Sequence, residues 1–161
     1  MLRITLAILI SIVATAVNGA PDPGSRQWIN ERVSLWSKVC LGSLPDFNQA
    51  GSKARSLGFK PGGNGNLIYK NTEVVLSFPG KTRKCSCYMT FGTTKPKAAT
   101  DLMLTKLLAL GGKFEATPSP RTIGQIRTAD GPMTVVVLTS KIKGRDWVAT
   151  TIQGRHPCPN N

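Results

Sequence analysis

Lys84-Cys85-Ser86-Cys87-Tyr88-Met89-Thr90-Phe91 decides the fold. These residue types favour an extended strand, and side chains on a strand alternate between two faces. Cys85, Cys87, Met89 and Phe91 therefore share one face, directed into a core, while Lys84, Ser86, Tyr88 and Thr90 share the other. Because the core face carries two thiols, the strand is also a place where distant parts of the chain are fastened.

Four cysteines, Cys40, Cys85, Cys87 and Cys158, permit three pairings. Cys85 with Cys87 is disfavoured, because same-face neighbours on one strand stand about 7 Å apart at their Cα atoms, the limit of bridging geometry. Cys40 then takes one of the pair and Cys158 the other. The preferred arrangement is Cys40–Cys87 with Cys85–Cys158; Cys40–Cys85 with Cys87–Cys158 is the alternative. Cys85-x-Cys87 and His156-x-Cys158 could together offer four ligands to Zn²⁺ or Cu(I). That set would strand Cys40 in an oxidising compartment, and its C-x-C spacing is tighter than zinc sites use, so disulfides are expected and no metal or other cofactor.

The oxidising compartment is read from the N-terminus. Arg3 precedes the apolar run Ile4 to Val13, followed by small residues, the layout of a signal peptide and too short to span a bilayer. Residues 1–19 are assigned to it, with a cut after Ala16 or after Gly19 satisfying the small-x-small requirement. Residues 20–161 are expected to form a single α+β domain in the periplasm or outside the cell, since no later segment is apolar enough to enter a membrane.

From Ser25 or Arg26 onward, Ile29, Val33, Trp36 and Cys40 recur at helical spacing, with Arg26, Glu31, Arg32 and Lys38 assigned to the solvent side. This first helix delivers Cys40 to the core. A second helix is expected to start near Pro45-Asp46, to carry Phe47, Ala50, Ala54 and Leu57 inward, and to stop at Gly58. The following loop, Pro61 to Asn66, is rich in glycine, yet it comes after a helix and leads into a strand, the reverse of a phosphate-binding loop. Strand-like segments span Leu67 to Lys70 and Glu73 to Phe78, and residues 73 to 91 read as a hairpin with a basic tip. Thr93 to Pro96 opens a third helix, capped by one of the threonines, whose broad apolar band runs from Ala98 to Leu110. Thr122 to Arg127, Met133 to Lys141 and Trp147 to Gln153 are further strands joined by short turns, hence antiparallel. The expected order is α-α-β-β-α-β-β-β: a disulfide-stabilised α+β domain with an antiparallel sheet of about five strands, two N-terminal helices and one inserted helix.

Catalytic chemistry finds little support. The single histidine, His156, adjoins Pro157 and the expected disulfide at Cys158, no GxSxG elbow occurs, and the eight acidic residues are dispersed. No catalytic residue is assigned. The formal charge is +13, or +12 once Arg3 leaves with the signal, which favours anionic partners. The tightest basic clusters supply the anion-binding candidates Lys81, Arg83, Lys84, Lys141, Lys143 and Arg145. Aromatic residues are too few for a stacking platform, so an anionic polymer, a lipid head group or an acidic protein is expected rather than nucleic acid. The sequence therefore reads as a small exported binding or accessory protein, with two alternatives: a hydrolase using a cleft carboxylate such as Asp101 or Glu73, or a structural envelope component. Intact-mass measurement before and after reduction should differ by the four hydrogens of two bridges; free thiols with a bound metal would overturn the disulfide assignment.

Overall fold

A computed structural model describes residues 21–70, 73–78, 84–116 and 121–157, with residues 84, 116 and 155–157 described by their backbone alone. The expected signal segment 1–19, the candidates Lys81 and Arg83, and Cys158 with its bridge to Cys85 lie outside the described residues and side chains.

The first helix, α1 (Arg26–Val39), begins where Ser25 caps it, the Ser25 hydroxyl accepting from the Trp28 amide at 3.1 Å. Its inward face buries Ile29, Val33, Trp36 and Val39, and the next residue, Cys40, forms the C-cap. Cys40 is bonded to Cys87, with Cα atoms 5.7 Å apart, which is the preferred pairing. One expectation fails here: Arg32, assigned to the solvent side, is fully buried. Its long side chain lies over the Trp28 ring and reaches Glu73, a partner 41 residues away that helical periodicity cannot reveal.

A 3-10 turn (Leu41–Ser43) follows, and α2 (Ala50–Ser56) starts later than the Pro45-Asp46 start read from sequence. Phe47 is the cause, because it adopts a left-handed backbone (φ 56) that no helix accommodates while its ring is buried. The stop at Gly58 is as expected (φ 93). Gly58 N–H donates to Arg55 and Phe59 N–H to Ala54, both through backbone carbonyls, a Schellman cap.

All the described strands join one antiparallel sheet of eight, not about five. In chain order they are β1 (Lys60–Pro61), β2 (Leu67–Tyr69), β3 (Val74–Ser77), β4 (Lys84–Gly92), β5 (Lys113–Ala116), β6 (Arg121–Thr128), β7 (Gly131–Ile142) and β8 (Arg145–Pro157). Spatially they run β1-β2-β3-β4-β8-β7-β6-β5, so two meanders meet at the β4–β8 seam. The segments missed by periodicity are β1, only two residues long and ending where the glycine-rich loop opens, and β5. In β5 the Phe114 ring lies over Gly112 and over its cross-strand partner Gly124; a Cβ on Gly124 would stand 2.1 Å from that ring. Gly112 and Gly124, having no side chains, leave the room in which the Phe114 ring packs as β5 pairs with β6.

The inward set of β4 is as expected, Cys85, Cys87, Met89 and Phe91 all being buried, but Ser86, assigned to the other face, is buried as well, next to a shift of register against β8 between Lys84 and Ser86. Neighbours of the inward set extend the inner face across the sheet, through Val74 and Leu76 on one side and Val148, Ile152, Val135 and Val137 on the other. The inserted helix, α3 (Pro96–Leu108), packs against α1 and against β7 and β8. Its buried stripe is narrower than its composition suggests, only Ala99, Met103 and Leu107, and Leu108 and Leu110 face outward. No threonine caps it: Thr93 instead accepts from the Lys95 amide before the helix begins.

The Cys40–Cys87 bridge closes a loop with a sequence separation of 47. Replacing both cysteines by alanine is expected to cost about 4 kcal/mol, chiefly by freeing the unfolded chain. A urea midpoint unchanged from the parent would contradict this.

Candidate functional site

The sheet has two ends, set by the direction of α1. At the N-terminal end of α1, a cleft of ≈ 430 Å³ is lined by Pro23, Trp28, Glu73, Gly92, Thr93, Thr94, Gly144, Arg145, Asp146 and Trp147. That volume falls among clefts that hold small ligands or segments of polymers, about 300–1,000 Å³. The β7–β8 turn forms one wall. Lys143 (φ 49) and Gly144 (φ 76) both adopt positive φ, as a two-residue hairpin of the twisted type requires. The turn projects Lys143 and Arg145 into solvent, while the backbone N–H of Thr93 donates to the Asp146 carbonyl at 3.0 Å and holds the wall against the end of β4.

The opposite wall is built on α1. Trp28 Nε1 donates to the Gly92 carbonyl at 3.1 Å, which fixes the indole, and the Arg32 guanidinium sits 3.4 Å from the centre of its ring. Arg32 also donates to Glu73 at 2.8 Å and to Glu31, and Glu31 accepts in turn from the Tyr69 hydroxyl and the Lys70 ammonium, both at 2.9 Å. The network therefore secures the strand end carrying Glu73 to α1. At the floor, Thr93 is buried and donates its hydroxyl to the Pro23 carbonyl at 2.7 Å. Trp147 brings a second indole to the lining, with its Nε1 buried and no acceptor among the described residues.

Two carboxylates, Glu73 and Asp146, thus line one cleft, but each faces a cation. Glu73 is held by Arg32, and Asp146 lies 3.6 Å from Lys141. Asp101 is elsewhere, on the exposed side of α3 and paired with Lys97 at 2.7 Å. At the mouth, Arg145 makes no ion pair among the described residues.

The described anion-binding candidates do not share one end of the sheet. Arg145 lines the cleft and Lys141 and Lys143 lie beside it at the β7–β8 turn, whereas Lys84 pairs in register with Pro157 at the far end of β4, about 25 Å away at ~3.3 Å per residue. Cys87 is oxidised with Cys40, which removes it from the four-ligand metal set. Among the described residues no group of three His, Cys, Asp or Glu side chains is placed to hold a metal ion. Sequence reasoning missed Trp28, Arg32, Thr93 and Trp147 as site residues. The signals present were the i, i+4 spacing of Trp28 and Arg32 and the Thr93-Thr94 pair next to the strand end.

At the far end, a second and larger groove of ≈ 720 Å³ lies beside the C-terminal ends of α1 and α3, lined by Leu41, Leu44, Pro45, Leu110 and Ile126 together with Lys106 and Arg127.

The Glu31 network titrates with a defined sign. Burial pushes its carboxyl up, but the hydrogen bonds from Lys70 and Tyr69 and the charges of Arg32 and Lys70 outweigh that and hold it below the ordinary value. Its stabilising contribution is complete above the ordinary carboxylate range, about 4.3, and is lost as pH falls through the lowered folded value. Lys70 is raised, first by its hydrogen bond to Glu31, so its contribution is present below its ordinary value and disappears only at alkaline pH above it. Urea midpoints measured against pH should fall less steeply below pH ~4 for Glu31→Gln than for the parent. Arg32→Ala should cost about 3 kcal/mol at neutral pH, because Glu73 loses its cation, Glu31 keeps only Lys70 and the buried packing on Trp28 is lost; equal acid slopes for parent and Glu31→Gln would refute the assignment. No protein-family model, no curated protein and no solved structure matches the chain.

Proposed function

We propose that the chain is an exported, non-enzymatic binding protein that takes an anionic polymer at the cleft between Trp28 and Trp147. The observation that carries this reading is the charge arrangement of the cleft. Its two carboxylates each face a cation, so the charge left on the lining is the exposed Arg145, with the exposed Lys143 beside it on the β7–β8 turn. A net charge of +13 for the chain adds long-range attraction of the same sign.

The lining supplies the remaining chemistry of a glycan-type partner. The Trp147 indole offers an apolar wall for a sugar ring, Thr94 an exposed hydroxyl, and Arg145 a planar fork suited to a carboxylate, sulfate or phosphate. Against catalysis, a carboxylate engaged by an arginine is poorly placed to move a proton to a substrate. Acid and base work in this cleft would require Glu73 or Asp146 to leave its partner.

Retention on a sulfated polysaccharide column tests the reading. The parent is expected to bind at ~0.05 M salt and to elute as the screening length shortens toward ~3 Å at 1 M. Lys143→Glu with Arg145→Glu should elute close to the void, while Lys97→Glu, a charge reversal on α3 outside the cleft, should shift elution only slightly. Binding insensitive to salt, or equal losses in both variants, would count against a cleft-centred site.

A further inference from the structure

The far groove differs from the cleft in kind. No carboxylate is among the described residues that line it. Leu41, Leu44 and Leu110 are apolar, and Ile126, 1 % exposed, closes the floor. Lys106 and Arg127 stand on its rim, and neither makes an ion pair among the described residues. A third cation, Lys53, donates to the Gly42 carbonyl at the edge. The acids nearest in sequence, Asp46 and Asp130, do not line the groove, and Asp46 accepts from the backbone and side-chain nitrogens of Asn48.

The end of α3 supplies one apolar wall of the groove. Gly111 (φ 73) donates to the Leu108 carbonyl and Gly112 to that of Leu107, a Schellman cap whose closing position is a glycine. Such caps ordinarily bury a hydrophobic side chain at that closing position, but a side chain on Gly112 would collide with the Phe114 ring and the Leu107 carbonyl. Leu110, just before this cap, is 48 % exposed on the groove wall.

We infer that this groove binds the chain of a monomeric, single-chain anionic amphiphile, a fatty-acid-like molecule, whose head group is met by Lys106 and Arg127. Charge complementarity selects this occupant: an apolar trough with an all-cationic rim matches an apolar tail ending in one anion, and the trough's volume lies within the range of small-molecule clefts. The inference is independent of the polymer cleft, which lies at the other end of the sheet.

Isothermal titration of the full, disulfide-intact chain with sodium dodecanoate below micelle formation tests it. One saturable site per chain is expected, with acetate showing none and methyl dodecanoate binding about tenfold more weakly because it lacks the charge. Lys106→Glu with Arg127→Glu should weaken dodecanoate about tenfold or more, Leu110→Asp likewise, and Leu110→Ala to an intermediate degree, with circular dichroism verifying that each variant is folded. Arg145→Glu, which weakens the polymer cleft, should leave dodecanoate binding unchanged. Equal affinity of the parent and both groove variants would overturn the inference. So would binding to phosphatidylglycerol vesicles without binding of monomeric dodecanoate, or self-association that Leu110→Asp abolishes in a chain that ignores dodecanoate.

Discussion

The molecule depends on α1 being fastened to β4 at both ends. Trp28 Nε1 holds the Gly92 carbonyl at one end and Cys40 is bonded to Cys87 at the other. The lengths agree: about 18 Å of helix separates Trp28 from Cys40 at 1.5 Å per residue, and about 17 Å of strand separates Cys87 from Gly92. A helix and a strand matched in this way, running in opposite directions, leave little freedom to slide. Everything else is laid against that pair, with β3 and β8 flanking β4 and α3 resting on α1.

The same pairing gives the molecule two chemically different ends. Where α1 begins, a buried guanidinium, two indoles and a chain of ion pairs produce a stiff cleft with positive charge at its mouth. Where α1 ends, a 3-10 turn, the left-handed Phe47 and the glycine cap of α3 leave leucines facing an open groove. The first end is specified by polar contacts with fixed geometry, the second by what the local backbone cannot cover. Positive charge is common to both, although it is drawn from different elements.

Legibility from sequence followed the range of the interactions. The alternation of Cys85, Cys87, Met89 and Phe91, the apolar face of α1 and the stop at Gly58 depend on residues within a few positions of one another, and each is found where its pattern points. The burial of Arg32 depends on Glu73, and the pairing of β5 depends on Phe114 crossing to Gly124, so neither is written in a local period. Gly112, which also closes the cap of α3, and Gly124, inside an expected strand, serve as seats for an aromatic ring. The candidate site was legible only in part: Arg145 and Lys143 announced themselves by charge, while the indoles that line or brace the cleft read simply as core or strand residues.

The order β1-β2-β3-β4-β8-β7-β6-β5 has a consequence for how the chain reaches this state. The strand that completes the centre of the sheet, β8, follows in sequence every strand it joins. During vectorial emergence of the polypeptide, β4 and β7 would each present an open, hydrogen-bonding edge until residues 145–157 arrive between them. The two halves can each form a local meander early, but their union waits on a long-range closure, which places this chain among topologies that fold slowly and expose edges meanwhile. The oxidation of Cys40 with Cys87 involves only the first half, so it can pin α1 to β4 before that closure and keep the waiting strand covered on its inner face.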